Sequence, residues 1–80
     1  MYYVYVLKSN KTGKLYKGSC SDLKKRLYEH NLGKVKSTKS EKPWSLIYYE
    51  AFLNKKYARR EEIFLKTGQG RERLKWLLEN

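Results

Sequence analysis

"LYKGSCSDLKKRLYEH", residues 15–30, joins a predicted strand to a predicted helix and decides the fold. Its first part, "LYKGSC", has the aromatic and apolar composition of a strand. The start of the chain, "MYYVYVLKS" (residues 1–9), is rich in Tyr and Val and predicts another strand. Between them, "NKTGK" (residues 10–14) supplies Asn and Gly for a turn. The two strands are therefore expected to pair as an antiparallel hairpin.

The second part of the stretch predicts a helix with clear ends. Ser21 or Asp22 is a suitable N-cap, and Gly33 is a suitable C-terminal stop. At about 100° per residue, Leu23 and Leu27 form the apolar stripe that meets the sheet.

Two polar residues of this helix lie beside the apolar stripe. Arg26 and His30 are spaced i and i+4, so they sit together at the margin of the face that meets the sheet. The same helical phase points Lys24, Lys25 and Glu29 well away from it. The helix is thus expected to present one arginine and the only histidine together.

The remainder of the chain predicts one strand and two helices. "WSLIYYEAF" (residues 44–52) is an unbroken apolar run, which favours a central or well-covered strand. Asn54 can cap the following helix, "KKYARREEIFLKTG", and Gly68 and Gly70 are expected to break the chain before a short last helix, "RERLKWLLEN". The predicted fold is α+β: a small three-stranded, mostly antiparallel sheet flanked by helices, in the order β-β-α-β-α-α.

Length and composition indicate one domain, residues 1–80. The chain is 40% hydrophobic and 15% aromatic, which excludes a disordered tail. Cys20 is the single cysteine, so an intrachain disulfide framework and a multi-cysteine zinc site are excluded, and a reducing, cytoplasmic setting fits. The N-terminus lacks the basic region of a signal peptide, and no segment approaches the roughly 20 apolar residues of a membrane span.

The charge of the chain favours a polyanionic partner. Nineteen Lys and Arg residues against eight Asp and Glu residues give a net charge of +11. Nucleic acid is the natural partner, because neutralising its phosphates releases counterions. The competing interpretations are a merely basic protein and a protein that meets an anionic membrane.

The order of motifs resembles the GIY-YIG nuclease superfamily. "YVY" at residues 3–5 and "YKG" at residues 16–18 resemble its paired signature, and "DLKKRLYEH" follows at once. "GKVKSTKSEKPWSLIYYE" and "ARREEIFLKTGQGRERLK" resemble the small single-domain bacterial members, so the resemblance spans about Tyr2 to Lys75. The chain is also similar to the N-terminal catalytic domain of the excision-repair nuclease.

Two positions depart from the family pattern. Tyr3 stands where the first motif usually has glycine, and Lys17 replaces the apolar middle residue of the second motif. A lysine inside a strand is expected to point to solvent or toward bound phosphate.

The resemblance implies a three-stranded antiparallel sheet and metal-dependent hydrolysis of a phosphodiester. By motif, Tyr5, Tyr16, Arg26 and His30 would line one site, with a glutamate of the second long helix holding Mg²⁺ or Mn²⁺. Arginine suits the phosphate oxygens as a forked donor, and one carboxylate with waters suits Mg²⁺. A tyrosine could orient or deprotonate the attacking water, and the sequence does not choose between the two. The histidine could shuttle protons or bind phosphate.

The metal-binding glutamate is ambiguous between neighbours. Matching the family segment "E-x-x-L-K-[ST]-G" selects Glu62, whereas helical phase puts Glu61 nearer the middle of the apolar stripe. We take Glu62 as the predicted ligand.

Simpler interpretations stand beside these. Tyr5 and Tyr16 could be ordinary core aromatics, Cys20 a small buried hydrophobe, and "KVKSTK" a solvated loop. "TGQG" lacks the context of a P-loop, so a nucleotidase is rejected. The sequence thus predicts a DNA endonuclease, in repair or recombination; it does not define the oligomeric state, and a monomer is compatible with it. The alternative is a nucleic-acid-binding module with little or no cleavage activity, and RNA is the weaker partner.

Overall fold

The protein is built on an antiparallel sheet with helices on both faces. The computed structural model describes residues 1–79. Its elements are β1 (Tyr2–Ser9), β2 (Leu15–Cys20), α1 (Leu23–Asn31), a 3-10 turn (Lys39–Glu41), β3 (Trp44–Phe52), α2 (Lys55–Leu65) and α3 (Gly68–Glu79). The predicted element order and the α+β class are confirmed. No helix within these residues is long and apolar enough to cross a bilayer.

Local signals set most of the element ends where the sequence predicts them. Asp22 caps α1 by accepting a hydrogen bond from the Lys25 backbone N–H. Gly33 follows the end of α1 with a φ of 80°, a conformation that glycine adopts without strain. Asn54 caps α2 in the same way as Asp22 caps α1, through the Lys56 backbone N–H.

The central strand β1 has a separate core on each face. Val4 and Val6 pack against Leu65 and Leu74 from α2 and α3. On the other face, Tyr5 and Leu7 pack with Trp44, and partly buried residues of α1 and β2 complete that cluster. This alternation follows from the two-residue period of a strand, so odd and even positions of β1 meet different helices.

Of the two positions that the sequence predicts for β3, central or well covered, the central one is wrong. The strand order is β2-β1-β3, so β3 is an edge strand and β1 is central. A bulge between β1 and β3, opposite Val6 and Leu7, lets Ile47 and Tyr48 pack against the same core. The apolar run of β3 is therefore explained by packing with helices rather than by two flanking strands.

The predicted break at Gly68 and Gly70 is also wrong. α3 starts at Gly68, and the Thr67 hydroxyl caps it by accepting a hydrogen bond from the Gly70 backbone N–H at 3.1 Å. A Cβ on Gly70 would lie only 1.9 Å from the Phe64 carbonyl oxygen. Gly70 thus allows α2 and α3 to approach closely.

Candidate active site

A buried hydrogen bond joins the first motif tyrosine to the histidine of α1. The Tyr5 hydroxyl lies 2.9 Å from His30 Nε2, and both residues are buried, at 2% and 0% exposure. The sequence predicts His30 at the margin of the helix face, but the structure buries it completely. The reason is that the last turn of α1 is covered by Thr38 from the following loop.

The partners of His30 fix its protonation state. The Thr38 hydroxyl donates to the Val35 carbonyl, so it accepts a hydrogen bond from His30 Nδ1, 2.7 Å away. Nε2 then has no proton and accepts from the Tyr5 hydroxyl. Burial, together with the charge of Arg26, lowers the pKa of His30, which agrees with a neutral ring. We therefore assign His30 as the neutral Nδ1–H tautomer.

The second motif tyrosine covers the same histidine from the strand side. The Tyr16 ring lies 5.0 Å from the His30 ring and 6.4 Å from the Tyr5 ring, centroid to centroid. Trp44 borders Tyr16 at 6.3 Å and donates its indole N–H to the Thr38 carbonyl. The predicted trio of two tyrosines and one histidine is thus brought into direct contact, with Tyr16 the more exposed tyrosine.

Gly18 makes room for the Tyr5 hydroxyl. It is paired with Tyr5 across the β1–β2 ladder, and a Cβ there would lie 2.5 Å from the hydroxyl oxygen. The glycine of the second motif is therefore required by the position of the buried tyrosine.

Arg26 lies beside this trio. Its polar contact with the Tyr5 hydroxyl is the main reason why the pKa of Arg26 is raised, and Glu29 adds an ion pair at 3.3 Å. Burial raises the pKa of Tyr5 to about 12, although the guanidinium opposes that rise. Tyr5 is thus a neutral hydrogen-bond donor at ordinary pH.

A cavity of about 340 Å³ opens at the junction of β2, α1 and α2. Arg26 lines it from α1, Ser19 and Cys20 from β2, and Lys55 and Ala58 from α2. Burial raises the pKa of the Cys20 thiol, which keeps it protonated and agrees with a structural role. Two cations at one opening, Arg26 and Lys55, form a suitable place for an anion.

Glu62 approaches this cavity from the far side of β2. Its carboxylate accepts hydrogen bonds from the Ser19 hydroxyl at 2.6 Å and from Lys66 Nζ at 3.0 Å. Burial alone would raise the pKa of Glu62, but these two donors outweigh it and hold the pKa below its usual value. Because side chains alternate along β2, Ser19 and Glu62 lie across the strand from Tyr16.

Glu61 lies away from the cavity that Arg26 lines. It forms an ion pair with Arg73 of α3 at 3.3 Å, and it adjoins Glu50 of β3. Of the two glutamates, the structure therefore brings Glu62 to β2 and the Arg26 cavity.

Sequence reasoning missed two residues that hold the site. Thr38 belongs to the loop "KVKSTK", which the sequence predicts to be solvated, yet it is 1% exposed. Ser19 follows Gly18 and carries the hydrogen bond to Glu62. Strand alternation puts Ser19 on the face toward α2, which is the one signal that could have identified it.

The carboxylates suit only a metal site with few protein ligands. Within residues 1–79, no group of three or more His, Cys, Asp or Glu side chains could hold a metal ion. Mg²⁺ needs no such group, because it is usually held by one or two carboxylates with waters and substrate phosphates. A half-buried, ionised Glu62 beside the cavity lined by Arg26 and Lys55 fits that requirement.

Comparisons with known proteins agree with this architecture. A family model described as the GIY-YIG catalytic domain matches residues 1–74. A UPF0213 protein of Staphylococcus saprophyticus is 38% identical over 79 residues, covering 98% of this chain and 95% of that protein. A UPF0213 protein of Streptococcus pyogenes is 46% identical over 71 residues, covering 86% and 75%. The solution NMR structure of a UPF0213 protein from Bacillus halodurans gives a TM-score of 0.58 at 33% identity, covering 96% and 85%.

Proposed function

Because the chain belongs to the GIY-YIG catalytic-domain family, we propose that it is an endonuclease that hydrolyses phosphodiester bonds in DNA with a divalent metal. A cytoplasmic role in repair or recombination remains our expectation. The observation that carries the proposal is the neutral Tyr5–His30 pair, packed under Tyr16 and beside Arg26. This pair supports Tyr16 next to a permanent positive charge.

The two tyrosines are expected to have different roles. Tyr5 is buried, and its hydroxyl donates to His30, so it holds the histidine and adjoins Arg26. Tyr16 is only partly buried, and among the described residues its hydroxyl has no hydrogen-bond partner, which leaves it available to a substrate or a water. We assign Tyr16 to the attacking water and Tyr5 to positioning.

Arg26 is assigned to the phosphate. Its side chain is 37% exposed and lines the cavity, and it keeps its charge at any physiological pH. A forked donor can bind two phosphate oxygens and stabilise the charge that grows on them during attack. Lys55 at the same opening adds a second cation.

Glu62 is the residue that would hold Mg²⁺ or Mn²⁺. Such an ion would stabilise the charge on the phosphate and on the leaving oxygen. Glu62 is ionised at neutral pH, since its pKa is lowered. Ser19 orients one of its oxygens. The Lys66 side chain is 54% exposed, and its ammonium neutralises the carboxylate until a stronger cation competes.

One observation favours a second candidate function. Both Glu62 oxygens already have protein partners, Ser19 and Lys66, as in a structural carboxylate. A nucleic-acid-binding module that keeps the fold and the basic surface but does not cleave would need no metal at this position.

A cleavage assay on a panel of labelled nucleic acids distinguishes the nuclease from the binding module. Single-stranded, duplex, flap and branched DNA, with an RNA control, are incubated with Mg²⁺ or Mn²⁺ and, in parallel, with EDTA. We expect metal-dependent cuts that Arg26→Ala reduces by about 100-fold to 1,000-fold. Lys25→Ala is the matched control, because Lys25 is an exposed cation on the same helix and should leave the rate unchanged.

The outcomes distinguish the candidates. Binding without cuts on every substrate would support the binding module instead. Cuts that survive Arg26→Ala would contradict the assignment of Arg26 to the phosphate.

A further inference from the structure

A second cavity lies on the face of the sheet opposite the Tyr5 and Tyr16 rings. It measures about 450 Å³ and lies between the β1–β2 hairpin and α3. Lys17 lines it from β2, where it pairs with Val6 and therefore faces α2 and α3. The lysine that departs from the family signature is thus half-buried and lines this cavity.

The rim of this cavity is strongly positive. Four cations line it against one carboxylate, Glu79, which gives a local net charge of +3. The cations are Lys8, Lys17, Arg71 and Lys75. None of the four forms an ion pair within residues 1–79, whose salt bridges all involve other basic residues. Burial, with the charges of Arg71 and Lys66, lowers the pKa of Lys17, as expected where positive charge is concentrated without a counterion.

The floor of the cavity is apolar. The side chains that form it are Leu15, Ile47, Leu74 and Leu78. Leu15 is 40% exposed and Leu78 is 37% exposed, so this surface is open to a ligand. A cationic rim over an apolar floor fits a ligand with both phosphate and an apolar ring, and the volume lies within the usual range for ligand pockets.

Lys66 connects this cavity to the candidate active site. It forms the ion pair with Glu62 and is close enough to affect the pKa of Lys17. Ser19, which binds Glu62, and Lys17 are two residues apart on the same face of β2, a distance of about 7 Å.

We propose that this basic cavity binds one strand of the nucleic acid next to the cleavage site. Phosphates contact the four cations, and a nucleoside lies against the apolar floor. The path runs from Glu62 over Lys66 to Lys17 and into the cavity. The position of the cleavage site rests on the proposed function, whereas the cavity itself does not.

The test measures binding rather than cleavage. A fluorescent oligothymidylate of about 12 nucleotides, within the usual site size for single strands, is titrated in EDTA over a range of salt concentrations. We expect Lys17→Ala with Arg71→Ala to weaken binding at least about tenfold and to reduce the slope of log K against log salt by about 1.4, at about 0.7 per lost phosphate contact.

A matched double variant controls for net charge. Lys24→Ala with Lys25→Ala removes the same charge from the exposed side of α1 and should leave the slope nearly unchanged. Equal slopes for the two double variants would overturn the proposal. Thermal unfolding checks folding, and removal of the crowded charge at Lys17 should not lower the midpoint.

Two further results keep the inference separate from the nuclease assignment. Thymidine monophosphate should compete much more weakly than the oligonucleotide, and equal competition would contradict a strand-binding cavity. If the wild type never cleaves DNA and the Lys17/Arg71 double variant loses binding, the cavity assignment stands and the nuclease assignment is refuted. Cleavage by the wild type with no loss of binding in that variant would refute the cavity assignment alone.

Discussion

At the scale of single residues, the buried Tyr5 hydroxyl has the clearest energetic role. Tyr5→Phe would leave His30 Nε2 buried without a donor, since the two atoms are 2.9 Å apart in a site closed to solvent. An unsatisfied buried acceptor costs about 1–3 kcal/mol. We expect a lower denaturation midpoint, measured by urea unfolding, and a large loss of cleavage because the histidine is no longer held.

Tyr16→Phe is the matched comparison, and it should separate stability from activity. The Tyr16 hydroxyl has no protein hydrogen-bond partner among the described residues, so its removal should change stability by no more than about 0.5 kcal/mol. Loss of a proton-transfer group costs about 100-fold or more in rate. A Tyr16→Phe protein that is fully stable and fully active would contradict our assignment of Tyr16 to the attacking water.

The motif residues could be predicted individually, but their supporting residues could not. The i and i+4 spacing predicted that Arg26 and His30 lie together, and the paired motifs identified both tyrosines. The sequence did not identify Thr38, because its loop is basic and polar. The burial of Thr38 depends on how that loop folds back over α1. No local pattern specifies such a long-range contact.

At the scale of the elements, the junction of α2 and α3 depends on one glycine. Gly70→Ala would push a methyl group into the Phe64 carbonyl and the Leu65 backbone, so the two helices would have to separate. Overpacking of this kind costs about 1–3 kcal/mol or more. We expect Gly70→Ala to lower the unfolding midpoint clearly in a thermal melt.

Gly68→Ala is the control at the same junction. Nothing lies within 4 Å of a Cβ at Gly68, and alanine restricts the unfolded chain more than glycine does. The variant should be as stable as the wild type, or more stable by about 0.4–1 kcal/mol. Similar destabilisation by both substitutions would contradict the contact with α2 as the cause, because only Gly70 makes that contact and helix propensity alone favours alanine at both positions.

The elements themselves were largely predictable, because their end signals are local. β2 and β3 have the predicted bounds, and Asp22 and Asn54 are the helix caps. The start of α3 was not predictable in this way. Glycine disfavours helix in general, and only the close approach of α2 explains why a helix contains Gly70.

At the scale of the whole molecule, acidic side chains are few and one pair is crowded. Glu50 Oε1 is buried with no hydrogen-bond donor among the described residues, and Glu61 is its neighbour. Burial raises the pKa of Glu50, and Glu61 adds to the rise while Arg73 opposes it. The folded state therefore binds a proton more tightly than the unfolded chain, so this group favours folding at low pH and loses that contribution as pH rises.

Glu50→Gln should remove this dependence on pH. The difference in melting temperature between Glu50→Gln and the wild type should be small near pH 4 and should grow, in favour of the variant, toward pH 7. A gain of about 1 kcal/mol corresponds to about 4–8 °C in a domain of this size. Glu72→Gln removes the same charge at an exposed site and should show no such trend. A constant difference across the pH range would contradict the account.

The choice of the central strand is the feature of the whole molecule that the sequence did not decide. An apolar run indicates burial but not which strand lies in the middle, and both β1 and β3 have such runs. The central position of β1 is visible only in the packing, where its two faces fill two cores. The same arrangement separates Tyr5 from Val4 and hence the face of Tyr5, Tyr16 and His30 from the face that packs on α2 and α3.

The choice between the adjacent glutamates tests the central claim most directly. Glu62→Gln and Glu61→Gln are compared in single-turnover DNA cleavage with Mg²⁺, under conditions in which the wild type is saturated with DNA. In Glu62→Gln the new amide keeps an oxygen that can accept from the Ser19 hydroxyl, and in Glu61→Gln it keeps a polar group for Arg73. Both proteins should therefore remain folded. We predict that Glu62→Gln lowers the rate by at least about 100-fold and that Glu61→Gln leaves it unchanged. Equal rates for the two variants, or a loss confined to Glu61→Gln, would contradict an active site built from Tyr16, Arg26 and Glu62.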